Sequence, residues 1–316
     1  MTRPRELDAR AVGLVLLLSA LWGGNVVAVK IGLVDAPPLA LAWMRFVLGS
    51  LCVVAWGVRT RAPFTVDPGE FWPLLGLGLL FTTQLGLLNV GTWLSTAGHA
   101  VVLLNAYPVH IIVIAHFVVP GDRMTVAKLG GVLFGYAGIL LLFWDQLVSL
   151  RLTDPTMLAG DLVLSASAVL LGLRQVVLNR QLQFIHPVKP LLAQVGIGTP
   201  LFIVLSALLE PQPTRWTPRL AGSLFYQGVV IAGFNFIVNM SLLKTYRPSA
   251  LAAFSLTTPL FGVATAVAVL REPISWSLGV AAFLVAGGIA LASVPPERAR
   301  RRVAAATEPA PPEPAP

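Results

Sequence analysis

The chain has 316 residues, 56% of them hydrophobic and only 11% charged, with a mean hydropathy of +0.80. A soluble domain carries about 25% charged residues, so these numbers exclude a water-soluble globule and place the chain in a bilayer. The formal charge of +8 does not signal nucleic acid, because the basic residues collect at the ends of apolar runs and in a C-terminal cluster.

A spanning helix needs about 20 apolar residues to cross a hydrocarbon core of about 30 Å. Ten stretches qualify: residues 11–33, 38–58, 71–92, 96–118, 126–144, 158–180, 189–209, 220–243, 248–270 and 275–294. The expectation is an all-α integral membrane protein with ten transmembrane helices and short connections. Residues 1–10 (MTRPRELDAR) resemble the start of a signal peptide. The apolar run after them continues to about Leu33 without a small-residue cleavage site, so span 1 is read as retained. Cys52 is the only cysteine, which rules out an intrachain disulfide. Residues 145–157 form a polar linker, and Glu210–Pro218 (EPQPTRWTP) is too rich in proline to continue a helix. Pro248 is expected to open span 9, where its missing N–H costs little. The tail, residues 295–316, is too polar and Pro-rich to fold alone. Its arginines read either as a topology signal or as a contact to anionic lipid.

Landmarks recur along the chain. Asn25 falls on Gln175, Lys30 on Arg180, Pro37 on Pro187 and Gly138 on Gly288 at an offset of 150, and Pro108 falls on Pro259 at 151. One unit written twice is the reading: residues 11–144 and 158–294. With a cytoplasmic N-terminus, fifteen Lys and Arg residues fall inside, and five fall outside (Lys30, Arg151, Arg215, Arg219, Arg271). This bias puts both termini in the cytoplasm. Five spans per unit is an odd number, so the two copies insert with opposite orientation. Inverted repeats recur in secondary transporters, with the substrate near the midplane, and supply a route to alternating access.

Polar groups inside a bilayer are expensive, and each asks for a partner or a function. Span 1 carries Trp22 and Asn25 around a Gly-Gly pair, readable as a stacking and hydrogen-bonding site or as a packing notch. Gln84 and Asn89 lie in span 3, and Asn105 and Tyr107 precede Pro108 in span 4. Span 6 holds Arg174 and Gln175; span 8 holds Gln227, Asn235 and Asn239; span 9 holds Ser255, Thr257 and Thr258. The threonines are expected to bond back to their own helix. Arg45 and Arg174 both fall within spans, where a cation costs roughly 2.5–3.5 kcal/mol at the helix centre. Arg45 is expected to snorkel to an interface. Arg174, facing a cavity, favours a carboxylate-bearing substrate. No carboxylate falls near mid-depth, which counts against acid-based proton coupling and against a dedicated cation exporter. His99, His110 and His116 stay as titratable candidates. Their spacing does not make a metal pair, and neither HExxH nor GxSxG occurs. The chain is therefore read as no enzyme, with no metal and no cofactor.

The order WGGNVVAVKIGL, PPLALAWMRF, STAGHAVVLLNAYPV and PGDRMT, followed later by Pro259 and LREPIS, resembles the EamA family of the drug/metabolite transporter superfamily. The resemblance covers about residues 11–294. The family's usual turn glutamate is Glu272 in the second copy but Asp122 in the first, a position read as a cap. The resemblance implies ten helices in two inverted five-helix repeats. Spans 1, 3, 4, 6, 8 and 9 would line a central cavity, with spans 5 and 10 peripheral. Trp22 and Asn25 match the family motif that faces the pathway. The expected function is export of small metabolites (amino acids or similar zwitterions) across the inner membrane, with efflux of hydrophobic drug-like compounds as the alternative. An intramembrane enzyme or a membrane scaffold ranks below both. The expected site is Trp22, Asn25, Gln84, Asn105, Tyr107, Arg174, Gln175 and Asn235; the expected partners are the small-molecule substrate and the lipid bilayer.

Overall fold

The computed structural model describes residues 9–118, 124–148, 155–182, 184–235, 238, 242, 257–271 and 276–292. Asp122, Asn239, Pro248, Ser255, Glu272 and the C-terminal tail lie outside them. Every regular element among the described residues is helical. In chain order these are α1 (Ala9–Gly32), α2 (Pro38–Arg59), α3 (Phe71–Leu94), α4 (Ala97–Asn105), α5 (Tyr107–Val118), α6 (Val126–Val148), α7 (Pro155–Gln181), α8 (Val188–Leu209) and α9 (Pro218–Phe225). A π-helical stretch, Tyr226–Asn235, continues α9, and α10 (Thr258–Leu270) and α11 (Trp276–Ala292) follow. Among the described residues, six helices are long and apolar enough to cross a membrane: Ala9–Gly32, Pro38–Arg59, Phe71–Leu94, Ala97–Ile114, Pro155–Leu178 and Val188–Leu209. The protein is a multi-pass membrane protein.

Local chemistry sets the helix ends. Pro38, Pro218 and Pro259 stand in the first turns of α2, α9 and α10, where a missing N–H costs little. Thr96 and Thr217 cap α4 and α9 through their side-chain oxygens, which accept from His99 N and Leu220 N, each at 3.1 Å. Pro108 cannot donate to the turn before it, and the chain breaks there: α4 ends at Asn105 and α5 restarts at Tyr107. The break puts Tyr107 at the first turn of a new helix inside the protein.

The helices are apolar on all sides, so shape rather than amphipathy selects their contacts. Large residues such as Leu51, Trp72, Phe117, Leu133, Leu208 and Phe283 stay exposed towards lipid, while glycines mark the close approaches. A Cβ at Gly23 would meet Gly262 N at 2.7 Å, and one at Gly288 would meet Gly131 O at 2.5 Å. A Cβ at Gly138 would meet Ala281 O at 2.8 Å. α4 is the centre of the core, buried at every residue but His99. Around it α1 packs on α10 and on the π-helical stretch, α2 on α8, α3 on α7 and α8, α5 on α7, and α6 on α11.

Polar contacts join the helix ends. Lys30 Nζ donates to Thr92 O at 2.8 Å and also to Ser95 O, meeting the bare carbonyls at the C-terminus of α3. Asp35 accepts from Arg219 Nε, Arg219 Nη2 and Thr217 Oγ1, each at 2.7 Å. These partners hold its carboxyl below the ordinary 3.8, at about 2. Glu210 accepts from the N-terminal amides of α2, Leu39 N at 2.7 Å and Ala40 N at 2.9 Å. At the opposite end Lys189 Nζ reaches Glu70 at 2.7 Å and Asp67 at 3.4 Å. The ammonium keeps the Glu70 carboxyl below its usual range.

Candidate substrate site

The interior carries two arginines on one aromatic pair. Arg45, on α2, sets its guanidinium 5.3 Å from the centroid of the Phe46 ring. Phe46 stacks on Phe81 of α3, with centroids 5.2 Å apart. Arg174, on α7, sets its guanidinium 4.9 Å from the Phe81 centroid. Each guanidinium thus lies over one ring of the stacked pair. Gly172 lets α7 come this close: a Cβ there would meet His110 Cβ at 3.0 Å and Tyr107 O at 3.2 Å. Arg174, two residues on, thereby comes within electrostatic reach of Tyr107 and of Arg45. Arg45, Tyr107 and Arg174 lie within the helix bundle, and each keeps intermediate accessibility.

Neutral amides orient both cations. Arg45 Nη1 donates to Gln227 Oε1 at 3.1 Å, and Arg174 Nη1 to Gln194 Oε1 at 3.2 Å. Each amide is itself fixed. Gln194 Nε2 donates to Pro190 O at 2.9 Å and Gln227 Nε2 to Ser223 Oγ at 2.8 Å. Arg174 Nε is buried with no hydrogen-bond acceptor. Among the described residues, no carboxylate pairs with either guanidinium. The expectation that Arg45 snorkels is therefore corrected: Gln227 and the Phe46 ring turn it inward.

Of the residues singled out from sequence, Tyr107 and Arg174 come together here. Asn25 is buried on α1 with its Oδ1 unpartnered among the described residues. Trp22 lies on the accessible side of the same helix, 44% exposed, and Gln175 is half-buried. Three others donate their amide N–H groups within the bundle, and Gln84 Oε1, like Asn25 Oδ1, is buried without a partner among the described residues. Gln84 Nε2 donates to Ser167 Oγ at 3.1 Å, Asn105 Nδ2 to Val101 O at 2.8 Å, and Asn235 Nδ2 to Leu18 O at 2.8 Å.

Sequence reasoning missed Phe46, Phe81 and Gln194, and a second polar cluster. At the end of the bundle near Lys30, Asp161 is fully buried and its Oδ2 lies 2.7 Å from His99 Nδ1, while Ser95 Oγ donates to Oδ1. A carboxylate three residues into an apolar run was the available signal. A surface groove of about 690 Å³ between Cys52–Thr60 of α2 and Val229–Phe234 of the π-helical stretch lies apart from the arginines. Its lining is largely apolar, suited to lipid.

Comparison with known proteins fits this arrangement. The model of the EamA-like transporter family matches residues 9–144 and again 158–294. The chain belongs to the EamA-like transporter family. This EamA-like transporter is 24% identical over 278 residues to YoaV, an uncharacterized transporter of Bacillus subtilis, covering 87% of this chain and 94% of that one. It is 27% identical over 294 residues to an Escherichia coli protein named as a probable amino-acid metabolite efflux pump, covering 87% and 92%. A solved crystal structure at 20% identity superposes with a TM-score of 0.62 over 90% of this chain and 98% of that one, a likeness of fold.

Proposed function

We propose that this protein is a secondary transporter exporting small metabolites, amino acids or similar zwitterions, across the inner membrane by alternating access. The observation that carries the reading is Arg174: a cation within the helix bundle, oriented by a neutral amide and with no carboxylate partner among the described residues. Such a group is costly unless a ligand answers it. A substrate carboxylate does so, with Tyr107 beside it and the free Asn25 Oδ1 on α1 as an acceptor for an ammonium. The name of the Escherichia coli relative, an amino-acid metabolite efflux pump, supports the same class and direction.

The proposed frame is two inverted five-helix repeats, residues 11–144 and 158–294, joined by the linker 145–157, with both termini cytoplasmic. Exchanged contacts support it. A shift of 150 carries Gly131 onto Ala281 and Gly138 onto Gly288, and Gly138 meets Ala281 while Gly288 meets Gly131. A two-fold relation requires this reciprocity. Likewise α3 on α7 answers α1 on the π-helical stretch, and α5 on α7 answers α10 on α1. Rocking one half on the other would expose the arginines to each side in turn.

Counterflow in proteoliposomes with pooled labelled amino acids tests the reading, with Asn25→Ala beside it. The expected result is exchange of at least one member by the wild type and its loss in a folded Asn25→Ala protein. Equal exchange by both removes Asn25 from the site, and no exchange by folded wild type removes the amino-acid class.

A further inference from the structure

The second interior cation asks for more than one carboxylate. We propose that Arg45 and Arg174 form a two-point anion site, and that the preferred cargo is a small organic dianion with two separated carboxylates rather than a neutral zwitterion. The inference rests on the reading of the chain as a transporter and departs from it in the cargo.

Arg45 and Arg174 come from helices on opposite sides of the linker, α2 and α7, and each lies over a different ring of one stacked pair. Each guanidinium rests on its own ring and bonds its own glutamine, which makes two recognition points. Each cation has one Nη1 donor committed to a glutamine oxygen. Four other N–H groups remain on each planar head, and Arg174 Nε is among those left without an acceptor. The glutamines cannot turn away, because their own amide nitrogens are bonded to Pro190 O and Ser223 Oγ. They orient charge and do not cancel it.

The carboxylates that the sequence supplies fall at helix ends, in connections or in the tails. Several are engaged elsewhere: Asp35 with Arg219, Asp67 and Glu70 with Lys189, Asp161 with His99, and Glu210 with the start of α2. Two like charges within reach of one another in a low-dielectric interior repel. A ligand carrying two negative groups relieves both at once through charge-assisted forks. A neutral zwitterion relieves one and brings an ammonium for which this centre has no carboxylate. The apolar body of a short dicarboxylate suits the Phe46 and Phe81 faces between the cations.

The test is counterflow with the full chain in proteoliposomes, using labelled succinate, glutarate, alanine and leucine. Thermal unfolding with and without succinate is read in parallel. The expected wild type exchanges succinate or glutarate faster than alanine or leucine, and succinate raises its Tm. Arg45→Gln is expected to lower dicarboxylate exchange about tenfold or more and to abolish the succinate-induced Tm rise, while Arg45→Lys retains part of both. The Lys variant and the unliganded Tm separate lost recognition from lost fold. Exchange of alanine or leucine without succinate or glutarate overturns this inference and leaves the transport reading standing. Dicarboxylate exchange unchanged in Arg45→Gln overturns it too. So does stabilisation by inorganic sulfate equal to that by succinate, which would mean one compact anion rather than two separated carboxylates. No exchange of any member by folded wild type overturns this inference together with the amino-acid class.

Discussion

Gly287 and Gly288 are neighbours in α11, and replacing each by alanine separates close helix packing from helix propensity. A Cβ at Gly287 meets nothing within 4 Å, whereas one at Gly288 meets Gly131 O at 2.5 Å and Gly135 N at 2.7 Å. Both positions are helix interior, so the gain of about 0.5–1 kcal/mol from removing a glycine is common to the two. Only Gly288→Ala pushes on backbone, and backbone of α6 has no rotamer with which to yield. The crossing must spread by several tenths of an ångström, and a gap of that size forfeits about a quarter of each dispersion contact it opens. Overpacking of this kind costs about 1–3 kcal/mol, which becomes the difference between the two variants. At roughly 2–4 °C per kcal/mol for a larger chain, Gly288→Ala should unfold several degrees below Gly287→Ala. The assay is thermal unfolding of purified protein in micelles followed by tryptophan fluorescence. Equal midpoints would refute the claim that α6 and α11 are held by glycine-mediated contact.

The clasp between the α1–α2 connection and α9 should respond to acid. Asp35 titrates at about 2 in the folded protein against an ordinary 3.8, because Arg219 and Thr217 donate to its carboxylate. A depressed carboxyl contributes stability above its unfolded value and loses it as pH falls towards the folded one. Midpoints of the wild type should therefore drop between about pH 4 and pH 2 more steeply than those of Asp35→Asn or Arg219→Gln. Parallel curves across that window would show that the clasp contributes nothing. No partial loss is expected near neutrality.

Much of the fold was legible because run length alone sets a membrane helix. Apart from the end of span 8 and the start of span 9, the described helices begin and end within about a turn of the apolar runs, while the break between α4 and α5 at Pro108 divides what was read as the single span 96–118. The π-helical form of Tyr226–Asn235 had no sequence signal beyond its glycines. The site was harder to read. Whether a cation in a span snorkels or turns inward depends on what the neighbouring helices offer. Arg45 turns inward because Gln227, 182 residues away, accepts from it. Gln84, Asn105 and Asn235 looked like recognition residues by depth, yet depth does not reveal which way an amide points. Ser167, Val101 O and Leu18 O took them. Asp161 was missed because its partners, Ser95 and His99, arrive from a distant part of the chain.

Access to the arginine centre from both faces of the membrane tests the central claim most directly. Cys52 is the only native cysteine, so Cys52→Ser gives a blank background for Tyr107→Cys. An impermeant maleimide would be applied to right-side-out and to inverted vesicles, which requires only that the site be reached. The account predicts modification from both sides, slowed by a transported carboxylate. Modification from neither side, or from one side alone at every temperature and ligand condition, would make Tyr107 and Arg174 packing residues rather than the lining of a transport pathway.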